Sequence, residues 1–501
     1  MAFATPSGPN EVLRTSMLDQ EKQNVENPPS TTQQTESNDP NYPFNWSIPK
    51  KWSVTLIACY VTFIVGINAT AITAAASETN TRFGISDHSF PNSVWPITAW
   101  NTGAAIAPML VLPIMEEHGM RLAYLIIYVV FFIFVIPQAT ARNFTTLIVC
   151  RFLAGSCGGV LQGVMDGIIA DMWNGPVQRS LPVSCYVVSL LTGLMIYGAS
   201  APIVLLIFRE TRLPVILSKT LKRQEEKPPQ SHGEYRLYQR DALHSFQVFL
   251  RENIIRPSFL LCTEAVVFSF TLLSGLSYGL VFISTQSVTQ VYSTNYDFAE
   301  SQTGFVQAAL VVGEIVGFLS CCFIQDPHFA RTLSASTLIP NPLLPESRLH
   351  LAIPGSLVGL MGGLFWYGWT SYPTLSWWLP TAGLFLIGYG SMVVMQAIMM
   401  YITDAYAKYA ASASAAICFG ENIFAAFLPL ASQSMYTRLG FHWASSLLGL
   451  VAFALSFAPV ALVWKGEETK TCLRAFSARK PAEMSLRQRE RVSNPGLQRS
   501  W

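Results

Sequence analysis

Residues Leu147 to Trp173 read LIVCRFLAGSCGGVLQGVMDGIIADMW, a run apolar enough to lie in a bilayer that nevertheless holds Arg151 and Asp166. Glycines recur every four residues, at Gly155, Gly159, Gly163 and Gly167. On a helix that spacing makes one continuous ridge of small residues. Such a ridge lets the backbone of a neighbouring helix approach closely, which is how membrane helices pack where no hydrophobic drive operates between them. Arg151 and Asp166 are fifteen residues apart, about 60° round a helix and about 22 Å along it. A charge at membrane depth costs about 3 kcal/mol or more and usually faces a bundle interior or a watery cavity. The stretch reads as a helix on a transport pathway.

The rest of the chain supplies the bilayer for that helix. Of 501 residues 51% are hydrophobic and only 12% charged, and the mean hydropathy is +0.35. Soluble chains carry about 25% charged residues, so the deficit points to a membrane protein. A span needs roughly 20 apolar residues. Uncharged intervals of that length run from Ser53 to Ser77, Ser89 to Met115 and Leu122 to Ala141, followed by the opening stretch and by Ser180 to Phe208. Beyond a polar segment come Pro257 to Tyr296, interrupted by Glu264, and Ser301 to Gln325, interrupted by Glu314. Leu349 to Thr403 has room for two spans, turning at WTSYPTLSWW (Trp369 to Trp378). Tyr409 to Thr437, with Glu421 inside it, and Leu439 to Trp464 close the set. Tryptophans near the predicted ends fit an aromatic belt.

Charge placement orients the bundle. Residues 209–256 hold ten Lys or Arg against six acids, and the tail from Lys465 carries nine more basic residues. The positive-inside bias puts both in the cytoplasm, and anionic lipid is the expected partner of the basic linker. A cytoplasmic amino terminus then needs an even number of spans before residue 209. The interval Ser180 to Phe208 has 29 residues, whereas two spans and a turn need roughly 45. One helix is short. The expected fold is therefore all-α, with 11–12 spans in two six-helix halves, one helix being incomplete. Its parts are a disordered cytoplasmic arm 1–46, a first half 47–209, a linker 210–256, a second half 257–465 and a tail 466–501. In such two-half transporters substrate binds near the midplane between halves.

No enzyme constellation competes with this reading. HExxH, GxSxG, a Walker loop and a nucleotide-binding GxGxxG are all missing from the sequence, so neither catalysis nor ATP-driven transport is expected. The nine cysteines have no metal-ligand spacing and sit mostly in apolar runs; no metal, cofactor or nucleic acid is expected. Asp171 and Asp404 fall at predicted cytoplasmic span ends, where salt-bridge latches are the expected use. Asp166, Glu314 and Glu421 are each read either as pathway carboxyls or as satisfied polar residues between helices.

Several stretches resemble the major facilitator superfamily, in particular its fungal drug:proton antiporters and the polyamine and multidrug exporters among them. DPNYPFNWSIPKKW (Asp39 to Trp52) is similar to that branch's lead into its first helix, and RFLAG…GIIADMW (Arg151 to Trp173) to its fourth. RPSFLLCTEAVV (Arg256 to Val267) resembles its seventh helix. The most specific resemblance is PESRLHLAIPGSLVGLMGGLFWYGWTSYPTLSWWLP (Pro345 to Pro380), with YITDAYAKYAASA (Tyr401 to Ala413) and PLASQSMYTRLGFHWASSLL (Pro429 to Leu448).

The resemblance implies proton-coupled efflux of small hydrophobic or cationic compounds by a plasma-membrane protein, with a vacuolar membrane as runner-up and a monomer as the working expectation. It implies a proton-coupling role for Arg151 and a matching carboxyl in Glu264. In PIMEEHGMR (Pro113 to Arg121), Glu116, Gly119 and Arg121 match the family's cytoplasmic charged latch, while Glu117 and Met120 replace positions usually basic. The family's GPxxGPxxGG antiporter signature is missing from Ser189 to Leu217, in line with the short interval. Asp166 stands where the family usually has glycine, and Glu421 where it often has arginine. A non-transporting protein derived from a transporter is the alternative.

Overall fold

In lipid every backbone N–H and C=O must be satisfied within its own segment, so long apolar runs become helices. The computed structural model describes residues 43–74, 76–85, 92–118, 120–173, 176–191, 256–336, 345–406 and 410–464, and no strand occurs among them. The helices are α1 (Ile48–Ala74), α2 (Ala76–Phe83), α3 (Trp95–His118), α4 (Met120–Thr140), α5 (Phe144–Met172), α6 (Pro176–Leu191), α7 (Arg256–Thr263), α8 (Ala265–Tyr296), α9 (Glu300–Ser320) and α10 (Asp326–Ser336). They continue as α11 (Pro345–Thr370), α12 (Trp378–Tyr406), α13 (Ala410–Leu439) and α14 (Phe441–Trp464). Nine helical segments among the described residues are long and apolar enough to cross a membrane. The chain folds as an all-helical polytopic membrane protein.

The expected turn at Trp369 to Trp378 is present, since α11 stops at Thr370 and α12 starts at Trp378. At the end of the expected arm, Pro43–Asn45 form a 3-10 turn and Trp46 is buried. The indole of Trp46 covers apolar surface there and takes Lys50 over its ring. The remainder of the arm, the linker 210–255, most of the short interval (192–208) and the tail lie outside the described residues.

Helices α1 and α5 run in opposite directions. At one end the start of α1 meets the end of α5, where Trp52 packs edge-on against Trp173 and the Trp173 indole donates to Thr55 at 3.2 Å. At the other end the Tyr292 hydroxyl lies 2.7 Å from Thr381, and the Trp369 indole donates to Ser446 at 3.0 Å. The first of these, which the charge bias assigns to the cytoplasm, is called the inner end below.

Burial divides into two cores. One is built around Ile64, Trp100, Tyr124, Phe131, Leu161 and Tyr186 of α1 to α6. The other collects Phe270, Leu310, Tyr367, Leu384, Tyr401 and Tyr436 of α8 to α13. Tyr278, Phe282, Met392, Met395, Met400 and Ala425 belong by sequence to the second half yet pack in the first core, and so mark the seam between halves. Outside, Leu122, Ile126, Val129, Ile133 and Ile136 of α4 form an exposed stripe at helical spacing, the surface a helix offers to lipid chains.

The glycine ridge of α5 has a partner that only the fold reveals. A Cβ on Gly155 would lie 2.2 Å from the carbonyl oxygen of Trp100, and one on Gly159 would lie 2.6 Å from the Ala104 backbone. The two helices run parallel, with residues 155 and 159 set against 100 and 104. At Gly163 the first obstacle is a flexible Leu112 methyl at 3.0 Å. Gly155→Ala is therefore expected to destabilise the chain by about 1–3 kcal/mol through overpacking, whereas Gly163→Ala should be close to neutral. Thermal unfolding of the two detergent-purified variants separates these expectations.

Candidate functional site

Two groups of polar residues sit where the halves meet, one at membrane depth and one at the inner end. At depth, Arg151 is only 4% exposed. Its guanidinium donates to the Asn68 carbonyl of α1 and lies 5.4 Å from the ring centre of Trp100 on α3. Cation–π contact and a carbonyl acceptor are what a desolvated guanidinium needs. Arg151 thus ties α1, α3 and α5 together in the first half.

Glu421, on α13 in the second half, is 5% exposed and accepts a hydrogen bond from the Ser274 hydroxyl of α8. One turn further along α13, the carbonyls of Ala425 and Ala426 accept from Asn101 at 3.4 Å and from Thr98 at 2.9 Å, both on α3. Glu421 therefore borders the seam. Tyr278, one turn from Ser274, is a neighbour of the carboxyl and packs into the first core. A buried carboxyl that accepts from a hydroxyl can bind a cation or exchange a proton.

At the inner end the hub is Arg348, whose side chain is fully buried. It lies 3.1 Å from Asp404 on α12 and 3.3 Å from Asp326 on α10. It also donates to Ser180 of α6 at 2.8 Å and stacks over Phe329 at 3.4 Å. Ser180 is the reach across the seam, and Gln396 of α12 makes a second one by donating to Ser184 at 2.6 Å. The π turn Cys321–Gln325 sits between α9 and α10 and brings Asp326 to the hub, while Gln325 donates to the Arg348 carbonyl at 2.8 Å. Inserted residues of this kind are frequent at functional sites. The three-acceptor grip uses the planar fork of arginine.

The structure joins some of the sequence-predicted residues and separates others. Asp404 lies at the inner end, held by Arg348. Glu264 occupies the break between α7 and α8, with extended backbone (φ −100°, ψ 105°), half-buried and near Tyr406. A single acid within an apolar run does not by itself disclose such a break. Arg121 starts α4 and is exposed. Asp166, Gly167 and Asp171 lie in α5 and Glu116 in α3, but their side-chain surroundings, and Gly119 altogether, lie outside the described residues.

Sequence reasoning missed Arg348, Asp326, Ser180 and Ser274. The signal for the first was PESRL, a buried-charge cluster embedded between apolar runs and read only as a likeness.

A bundle of membrane-crossing helices with two cores and a polar seam between them is the architecture of a two-half membrane transporter. The Major Facilitator Superfamily family model matches residues 58–423. An MFS transporter of Aspergillus oryzae, cpaT, is 31% identical over 456 residues, covering 86% of this chain and 90% of that protein. The paaT transporter of Penicillium rubens is 30% identical, covering 86% and 81%, and the efflux pump radE of Floropilus chiversii is 28% identical, covering 86% and 83%. Among solved structures, the proton:xylose symporter XylE superposes with a TM-score of 0.58 at 15% identity, over 84% of this chain and 96% of that one. The human organic anion transporter MFSD10 gives 0.51, also at 15% identity, over 83% and 100%. The chain belongs to the major facilitator superfamily and is a multi-pass membrane transporter, not an enzyme.

Proposed function

We propose that this transporter exports small hydrophobic or cationic compounds, such as polyamines, cationic drugs or a fungal secondary metabolite, across the plasma membrane in exchange for protons. The observation that carries the reading is Glu421, a buried carboxyl at the seam that accepts from Ser274. An anionic acceptor at membrane depth suits a cationic cargo. The relative named as an efflux pump supports the outward direction. In this reading the two halves rock about the seam, Arg348 closes the inner end, and Arg151 sets the electrostatics of the pathway. Asp166 and Glu264 complete the set of acids available for proton coupling, and Glu116, Gly119, Arg121 and Asp171 join Asp404 as inner-end latches. The protein works as a monomer, with its basic linker against anionic lipid.

Glu421→Gln removes the charge while keeping the shape and the hydrogen bond to Ser274. Export of the lipophilic cation tetraphenylphosphonium is expected to fall roughly tenfold, the factor carried by 1.4 kcal/mol of lost binding, with little change for a neutral dye. Equal losses for both probes would remove Glu421 from cation recognition.

A second reading, a transporter-derived protein that does not transport, is favoured by one observation. The 29 residues from Ser180 to Phe208 are too few for two spans, and the Gly-Pro signature is missing from them. Sequencing the transcript across these codons decides it: an extra in-frame block restoring the signature removes this reading, and its absence strengthens it.

A further inference from the structure

Glu314 on α9 takes no part in the site described above, yet it is the more deeply buried acid. It is 1% exposed. Its Oε2 meets no hydrogen-bond partner among the described residues. It stands about 20 Å along the helix from Glu300, on the face formed by Leu310, Gly313, Gly317 and Cys321, all buried. Gly313 and Gly317 press that face against Phe385, Tyr389 and Met392 of α12. Phe318, one turn on, and Met392 pack into the first core, so the carboxyl lies beside the seam.

A bare carboxylate at such a place costs several kcal/mol, whereas the acid form carries no charge to desolvate. The groups facing it are few. Across on α12 is Tyr389, and Asp404 is about 22 Å further along that helix. The α8 helix carries no Asp, Glu, Lys or Arg. Arg179 and Cys185 of α6 lie toward the π turn, on the order of 10 Å from Glu314 along α9.

We infer that Glu314 is the proton-carrying acid of this transporter: it holds a proton while the seam encloses it and releases that proton when rocking of the halves wets the face. This rests on the proton-coupled reading above. The step makes and breaks one O–H bond; the proton enters from one aqueous phase, leaves to the other, and no other reactant is needed. Glu421 is then free to serve the cargo while Glu314 serves the proton.

The test uses the purified full chain and the variant Glu314→Gln, a neutral isostere of the acid form that should fold. In proteoliposomes, an imposed pH gradient should drive tetraphenylphosphonium accumulation by the natural chain. Glu314→Gln should lose that accumulation at least tenfold yet keep unenergised tetraphenylphosphonium counterflow. In pH-difference infrared spectra, the protonated-carboxyl band should be present in the natural chain and absent in Glu314→Gln. Gradient-driven accumulation by Glu314→Gln at the natural rate, or identical spectra, overturns the inference. Counterflow by the natural chain with no response to the gradient overturns it together with the proton-coupled reading. A band still lost in Glu314→Gln under that outcome would mark a buried acid that carries nothing.

Discussion

Replacing Arg348 by alanine is expected to stop transport and to destabilise the fold by about 3–5 kcal/mol, the usual consequence of removing one partner from a buried charge cluster. Asp326 and Asp404 have side chains only 19% and 16% exposed, and without the guanidinium they would face each other with little water to screen them. Two effects can be told apart. Ser180→Ala removes the α6 hydroxyl that meets Arg348 and Asp326 across the seam, leaving both ion pairs in place. That variant should melt within a few degrees of the natural chain while opening the inner end more often. A single-cysteine variant retaining Cys185 reports the opening as faster labelling by an impermeant maleimide in inside-out vesicles. Arg348→Lys should fall between the two, because an ammonium cannot offer a planar fork to three acceptors. Unchanged labelling in Ser180→Ala would reduce the hub to a support within the second half.

The second large effect is expected at Arg151. Arg151→Ala leaves a cavity where a guanidinium contacts the Asn68 carbonyl and the face of Trp100, and transport should fall below detection. The informative variant is Arg151→Lys. It keeps the positive charge but loses much of the stacking and the second donor direction. If Arg151 only braces α1 against α5, lysine should recover both thermal stability and transport. If it serves coupling, lysine should recover stability while pH-driven transport stays at least tenfold down, a deficit of about 1.4 kcal/mol. Counterflow would then survive.

Much of the architecture was legible because lipid imposes a strict rule on backbone polarity. Uncharged runs marked the spans, and the turn between α11 and α12 fell where WTSYPTLSWW placed it. The glycine ridge announced a close helix contact but not its partner, since Trp100 and Ala104 lie some fifty residues away and carry no matching pattern. Glu264 shows the opposite limit. Apolar residues surround it on both sides, so hydropathy alone placed it inside a helix, and only backbone geometry shows the break between α7 and α8.

The inner hub was the least legible part. Its four members come from α6, α10, α11 and α12, and the π turn that delivers Asp326 leaves no composition signal. Asp404 was readable as a latch because it ends an uncharged run, yet its cation could not be chosen among many basic residues. The acids at depth posed a different difficulty. Sequence identifies Glu314 and Glu421 as costly placements, but only packing distinguishes a carboxyl joined to Ser274 from one with an unpartnered oxygen.

The central claim, exchange of an outgoing compound for incoming protons, is tested most directly in inside-out plasma-membrane vesicles energised to an acidic lumen and loaded with a pH-quenched dye. Adding tetraphenylphosphonium to vesicles bearing the natural chain should release protons and restore fluorescence, with no such response in vesicles lacking the chain or carrying Arg151→Ala. Accumulation of tetraphenylphosphonium without any proton release would contradict the account and leave a carrier driven by something other than the proton gradient.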